Sequence, residues 1–258
     1  MIDYEKFKDM IYNKTGINLS CYKERQMKRR IDSLIKRNHF ENYLNYYNAI
    51  DRDKHLYNEF INYLTINVSE FYRNAGQWEI LEKDIFPSLL KQNSSLKIWS
   101  AACSTGEEPY TLVMVLSKLL PLTQIKILAT DIDREAISKA QLGLYSAKSL
   151  VNVPAEHVNK YFNKLSDSYQ IKDEVKKCVE FKHHNLLSDK YPDHLDLIVC
   201  RNVMIYFTEE SKELMFKKFQ ESLSNHGVLF VGSTEQIILP NRFKFAPLKT
   251  FFYKKLSD

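Results

Sequence analysis

The chain has 258 residues, 44% hydrophobic and 27% charged, with a formal net charge of +5. That balance suits one large globular domain with a smaller companion, and the charge is too small to argue for nucleic-acid binding. No segment reaches the roughly 18 continuous apolar residues of a membrane helix. The four cysteines, Cys21, Cys103, Cys178 and Cys200, lack both the pairing of a zinc site and the density of a disulfide scaffold. Reduced thiols, no metal and a cytoplasmic protein are expected, and the charged start Met1-Ile2-Asp3-Tyr4-Glu5-Lys6 has no leader-like apolar stretch behind it.

The first part, to about Leu64, reads as helices alone. Phe7, Met10 and Ile11 sit at helical spacing, with Gly16 as a stop, and Met27, Ile31, Leu34 and Ile35 form a second apolar stripe. Leu44 with Tyr47, then Leu56, Phe60 and Leu64, predict two more helices. From Leu96 short apolar runs alternate with helical stretches. The runs are 97–102, 125–130, 178–181, 195–200 and 227–232, and the helix-like stretches between them are 109–120, 133–142 and 208–223. Such alternation predicts a mainly parallel sheet covered on both faces. Thr250-Phe251-Phe252-Tyr253 reads as a last strand, and the less regular segment 160–182 as a small antiparallel insertion. Six glycines and no low-complexity linker predict a structured joint between the two parts.

Ligands of open α/β sheets bind at the carboxyl ends of the strands, so the residues after each run are the candidates. After the first comes Cys103-Ser104-Thr105-Gly106-Glu107-Glu108-Pro109, a tight turn with one glycine and two acids. The acids disfavour a phosphate, and a dinucleotide fingerprint would need three glycines. After the second comes Asp131-Ile132-Asp133. Asp131 is assigned to the hydroxyls of a ribose and Asp133 to the cap of the next helix. Asn185 is placed to read an adenine edge with Leu186 against its face, while the neighbouring His183 and His184 point to opposite faces and cannot share a metal. Arg201 and Asn202 precede an apolar, aromatic turn, Val203 to Phe207, that suits a pocket floor. Acids, an adenine reader and an apolar wall without a phosphate cradle suit a nucleoside such as S-adenosylmethionine.

Asn67-Val68-Ser69-Glu70-Phe71-Tyr72-Arg73, Trp99 to Tyr110, Asp131-Ile132-Asp133, Asn185-Leu186-Leu187 and Cys200 to Phe207 occur in one order. Together they resemble the chemotaxis receptor methyltransferases, the CheR family, over nearly the whole chain. The resemblance implies a Rossmann-like S-adenosylmethionine-dependent methyltransferase domain of α/β class over residues 67–258, with a small β subdomain inserted near 160–182. A small all-helical domain over residues 1–66 would precede it and dock the receptor. It implies methyl transfer from S-adenosylmethionine to glutamate side chains of methyl-accepting chemotaxis receptors, leaving S-adenosylhomocysteine. It assigns cofactor contacts to Asn67, Ser69, Arg73, Glu108, Asp131, Asn185, Leu186, Arg201 and Asn202, with Glu107 as the alternative to Glu108. Tyr206 would line the methyl-transfer site beside Arg73, which serves either the reacting groups or the cofactor's own carboxylate. Some members grip a receptor's carboxyl-terminal peptide with a glycine-bearing loop of the β subdomain. Here 163–169 has no glycine, which weighs against tethering.

A docking surface is expected on the helix from Tyr22 to Arg37. Arg25, Arg29 and Lys36 fall opposite its apolar stripe, where they would meet the acidic helices of a receptor, although a solvated face is the common meaning of such a pattern. A monomer without membrane insertion is expected. A cofactor-binding adaptor without transferase activity and a methyltransferase of small acids or nucleic acid are the competing classes.

Overall fold

The computed structural model describes residues 2–256. Four helices form the amino-terminal part: α1 (Tyr4–Thr15), α2 (Glu24–Arg37), α3 (Tyr43–Arg52) and α4 (Lys54–Thr65). Asp3 caps α1 by accepting from the Lys6 amide, and Gly16 ends it at φ 72°, a left-handed turn that needs no Cβ. Phe7 and Ile11 of α1, Met27, Ile31, Leu34 and Ile35 of α2, and Phe60 and Leu64 of α4 close one core. In α3 the buried face is Tyr46 and Ile50, and the expected Leu44 is exposed. Of the expected pair, Tyr47 packs partly buried against this core, beside the inward-facing Tyr46 and Ile50.

A long helix follows that the apolar pattern does not announce. It runs as α5 (Ala75–Ile80), a π-helical turn (Leu81–Ile85) and α6 (Phe86–Gln92). Gly76 and Pro87 lie inside it and mask it in the sequence. The π turn widens the ladder just ahead of Pro87, which has no N–H to contribute.

The remainder is a sheet of seven strands: β1 (Ile98–Ala101), β2 (Ile127–Asp131), β6 (Val179–His183), β7 (Leu195–Cys200), β8 (Leu223–Val231), β9 (Phe245–Lys249) and β10 (Phe252–Lys255). Their order is β6-β2-β1-β7-β8-β10-β9, parallel as far as β8 and antiparallel at β10 and β9. The strand order reverses between β1 and β7, which opens a crevice at their carboxyl ends. The central strands are buried on both faces. Leu197 and Val199 of β7 face the core shared with α5, α6 and α7 (Glu107–Leu116), and Ile198 and Cys200 face the core shared with α11 (Glu209–Ser222). Helix α8 (Arg134–Leu142) covers β2 and β6, with Asp133 capping it through the Glu135 and Ala136 amides.

A three-stranded antiparallel sheet, β3-β5-β4, joins β3 (Leu144–Ser146), β4 (Phe162–Lys164) and β5 (Ser168–Ile171). Helix α9 (Ala155–Tyr161) precedes β4, and the short α10 (Asp173–Lys176) leads on to β6. This sheet overlaps the expected insertion at 160–182 without matching it: it begins at Leu144, and 179–183 belongs to the main sheet. β3 shows one buried residue, Tyr145, between two exposed ones, too short a pattern to read.

Candidate active site

A cleft opens where the strand order reverses, between α4 and the carboxyl ends of β1, β2, β6 and β7. Its lining includes Asn67, Asp131, Asn185, Leu186, Arg201, Asn202 and Tyr206, all expected from the sequence. Ser69, Arg73 and Glu108 are not part of the lining. Sequence reading passed over Tyr22 and Leu64 as walls, because both belong to the helical part, ahead of every strand of the sheet.

The turn after β1 is shaped by backbone conformations that side-chain-bearing residues rarely adopt. Ala102 has φ 66° and Ser104 φ 49°, and Gly106 at φ 94° caps α7. A Cβ on Gly106 would stand 2.8 Å from that of Ala140, so this position admits glycine alone. The bent turn aims the Ser104 N–H at Asp131 Oδ2, at 2.7 Å, while the Asp133 N–H reaches Oδ1 at 2.9 Å. Burial pushes the Asp131 carboxyl up to about 6, against the pull of these amides. Asp131 lines the cleft, and as a carboxylate it has acceptor capacity beyond these amides.

Asp133 caps α8 and also gathers the joint between the domains. Its Oδ2 accepts from Thr65 Oγ1 at 3.0 Å and from Asn67 Nδ2 at 2.6 Å, and Asn67 Oδ1 accepts from Ser104 Oγ at 3.2 Å. Asn67 thus lines the cleft and ties the joint to the turn. Ile66, at φ 49°, makes the joint a tight bend. On the far wall, Asn185 Nδ2 donates to the Gly16 carbonyl at 3.3 Å and its Oδ1 accepts from the Leu187 N–H at 3.0 Å.

Arg201 is the buried cation of the site. Its Nη2 donates to the Arg73 carbonyl at 2.9 Å, to Gln77 Oε1 at 2.8 Å and to Asn74 Oδ1 at 3.2 Å, and its guanidinium lies 4.7 Å from the Phe230 ring centre. Glu108 stands behind it at 3.5 Å, accepting from Ser100 Oγ at 2.9 Å. Burial raises the Glu108 carboxyl and Arg201 opposes that rise; burial likewise lowers Arg201. Arg73 is half-exposed, and its Nη1 donates at 3.3 Å to the carbonyl of Val68, a cleft residue. Ser69 lies two residues from Asn67 on the same segment, half-buried. Glu107, the alternative to Glu108, accepts from Thr105 Oγ1 at 2.7 Å.

The donor set fits S-adenosylmethionine. Arg201 Nε and His184 Nδ1 are buried atoms of cleft residues with no partner in the described residues, which leaves polar positions for a ligand to satisfy. Asp131 offers acceptor capacity for hydroxyls, and Leu186, Val203 and Phe207 offer an apolar wall. No cluster of three or more His, Cys, Asp or Glu placed to hold a metal occurs among the described residues.

The helical part closes this cleft directly. Tyr22 and Phe207 form an isolated antiparallel bridge with ring centres 4.8 Å apart. The Lys23 N–H donates to the Tyr206 carbonyl, and the Thr208 N–H to the Cys21 carbonyl, both at 2.9 Å. On the other side, Phe71 packs edge-on against Tyr145 of β3 at 4.8 Å, and Tyr145 OH donates to the Thr105 carbonyl at 2.7 Å. The Asn67–Arg73 segment and the β1 turn are therefore both braced by the small sheet.

Comparison with known proteins agrees with this geometry. The family model of the CheR methyltransferase all-alpha domain matches residues 2–65, and that of the CheR methyltransferase SAM binding domain matches residues 67–252. A chemotaxis protein methyltransferase of Listeria innocua is 41% identical over 254 residues, covering 98% of this chain and 97% of that protein. One from Borreliella burgdorferi is 36% identical, covering 88% and 86%, and one from Escherichia coli is 30% identical, covering 90% and 83%. Two matched domains in the observed order, and relatives aligned along nearly all of their length, leave one conclusion: the chain belongs to the CheR family of S-adenosylmethionine-dependent chemotaxis methyltransferases.

Proposed function

We propose that this protein methylates glutamate side chains in the cytoplasmic helical region of chemotaxis receptors, as a monomer in the cytoplasm. The observation that carries the reading is the cleft at the strand-order reversal, which gathers Asp131, Asn185, Leu186, Arg201 and Asn202, within a chain of this family. No described helix is long and apolar enough to cross a membrane, which agrees with a protein that meets receptors from the side.

Asp131 accepts from ribose hydroxyls, and Asn185 with Leu186 holds the adenine. Asn67 fixes the near wall and Asn202 the floor, with Ser69 two residues from Asn67 on the same segment. Arg201, kept in place by Glu108, presents positive charge to the amino-acid end of the cofactor. When bound, S-adenosylmethionine supplies a methyl group already activated by its sulfonium. A glutamate acceptor, with an ordinary pKa of about 4.3, arrives ionised at neutral pH, so no general base is required of the chain. What remains is alignment. Tyr206, on the cleft floor, and Arg73, one hydrogen bond from the cleft wall, steer the acceptor carboxylate; Arg73 in the alternative role holds the carboxylate of the cofactor.

Arg25, Arg29 and Lys36 of α2 are exposed and make no ion pair among the described residues, so they are free to meet an acidic receptor helix. Incubation with methyl-labelled donor and receptor-containing membranes tests the function. Base-labile label on receptor protein is the expected product of ester formation. Cofactor binding without transfer would identify an adaptor instead, and label on nucleic acid or a small acid would point to another methyltransferase class.

A further inference from the structure

Asn202 and Tyr206 sit on the loop after β7, and that loop is held by a carboxylate outside every motif considered above. Glu235 is 7% exposed, and its side chain accepts from four backbone amides. Oε2 takes the N–H groups of Asn202 at 2.5 Å and Gly232 at 2.9 Å, and Oε1 takes those of Met204 at 2.6 Å and Ile205 at 3.3 Å. The Glu235 N–H in turn donates to the Gly232 carbonyl at 3.0 Å, closing a tight turn at the carboxyl end of β8. Asn202 is in the left-handed region at φ 61°, which asparagine adopts more readily than most residues with a side chain. Buried amides without partners would otherwise open the loop.

We infer that Glu235 is a positioning residue for methyl transfer: as a carboxylate it sets the Asn202–Tyr206 loop and so places Asn202 and Tyr206 in the cleft. This rests on the roles proposed for those two residues. The fit is close. A Cβ on Gly232 would come within 2.3 Å of Glu235 Oε2 and 2.8 Å of the Asn202 nitrogen, so the glycine makes room for the carboxylate and the loop together. Charge matters as much as shape. Glutamine has the same size but offers one carbonyl oxygen, and its NH2 group would face two amide donors where an acceptor now stands.

The test uses the full chain with Glu235→Gln, Glu235→Asp and Gly232→Ala, measuring cofactor dissociation by calorimetry and the kcat of receptor methylation at saturating cofactor. Glu235→Gln is expected to lower kcat and raise the cofactor dissociation constant by about ten-fold or more. Glu235→Asp, which keeps a carboxylate, is expected to recover part of both. A purely structural role would lower the melting temperature and leave both constants of the folded enzyme unchanged, and wild-type constants in Glu235→Gln overturn the inference whatever its stability. Should Glu235→Gln not fold, Gly232→Ala decides: it retains the carboxylate but displaces it, and wild-type constants there overturn the inference equally. Failure of the wild-type protein to label receptors would overturn the proposed substrate, and the cofactor constants of the variants would still decide the role of Glu235.

Discussion

At the scale of single residues, the site depends on a few buried charges whose environments differ. Asp131 lies at the end of β2 with a folded-state pKa of about 6, above its ordinary value of 3.8. The folded protein therefore holds that proton more tightly than the unfolded chain. The stability this residue contributes is full below about pH 4 and is lost as pH rises through about 6. Cofactor binding should run the other way, because the ionised carboxylate is the better acceptor. Affinity for S-adenosylmethionine is expected to be flat from about pH 7 to 8 and to weaken as pH falls through 6; calorimetry showing no change down to pH 5 would exclude Asp131 as the ribose acceptor. Asp131→Ala should cost about 1.5–3 kcal/mol of binding at neutral pH, the usual loss for hydrogen bonds to a charged group. Arg201 makes a different demand. Its side chain is 2% exposed, and Arg201→Met would leave Glu108 buried without its cation. A loss of about 3–5 kcal/mol in folding stability is expected on chemical denaturation. Asp131, Asn185, Arg201 and Asn202 were legible from their positions after strands. Glu235 was not, since three of its four partners are backbone amides about thirty residues back along the chain, and no side-chain pattern records them.

Among the elements, α2 shows how far periodicity reaches. Met27, Ile31, Leu34 and Ile35 are buried as their spacing predicts, and Arg25, Arg29 and Lys36 are exposed. Reversing all three to glutamate is expected to impair receptor methylation while leaving cofactor affinity intact, and wild-type methylation should itself weaken as salt rises, since exposed charges are screened beyond about 8 Å at physiological ionic strength. Normal methylation by the triple variant in low salt would move the docking surface elsewhere. The strands with continuous apolar runs, such as β7, were equally plain, because both of their faces are covered. The outermost strand β9 was not. β9 buries little beyond Phe245 and carries Pro247, which an outermost strand tolerates and an inner one does not, so nothing in 245–249 distinguishes it from a loop.

For the molecule as a whole, the sequence reads as two domains in series, but the structure makes one catalytic body of them. Alternation of strands and helices is a local signal and was legible. Contacts between parts distant in the chain, such as Gly16 with Asn185 or Thr65 with Asp133, leave no periodic trace. The pairing of 21–23 with 206–208 has the sharpest outcome. A fragment of residues 67–258 would lose Tyr22, Leu64 and Thr65 from the cleft and bare Phe207, so it should bind S-adenosylmethionine at least about ten-fold more weakly than the full chain. Full affinity in the fragment would show the helical part to be a mere appendage. The same pairing has a mechanical side. The carbonyl of Tyr206 is clasped by the amide of Lys23, and Lys23 is the residue from which α2 springs. Were a receptor to dock on the basic face of α2, as proposed, it would press on a helix whose N-cap residue is hydrogen-bonded to the cleft floor, and recognition at the surface would be joined to alignment at depth through that one contact.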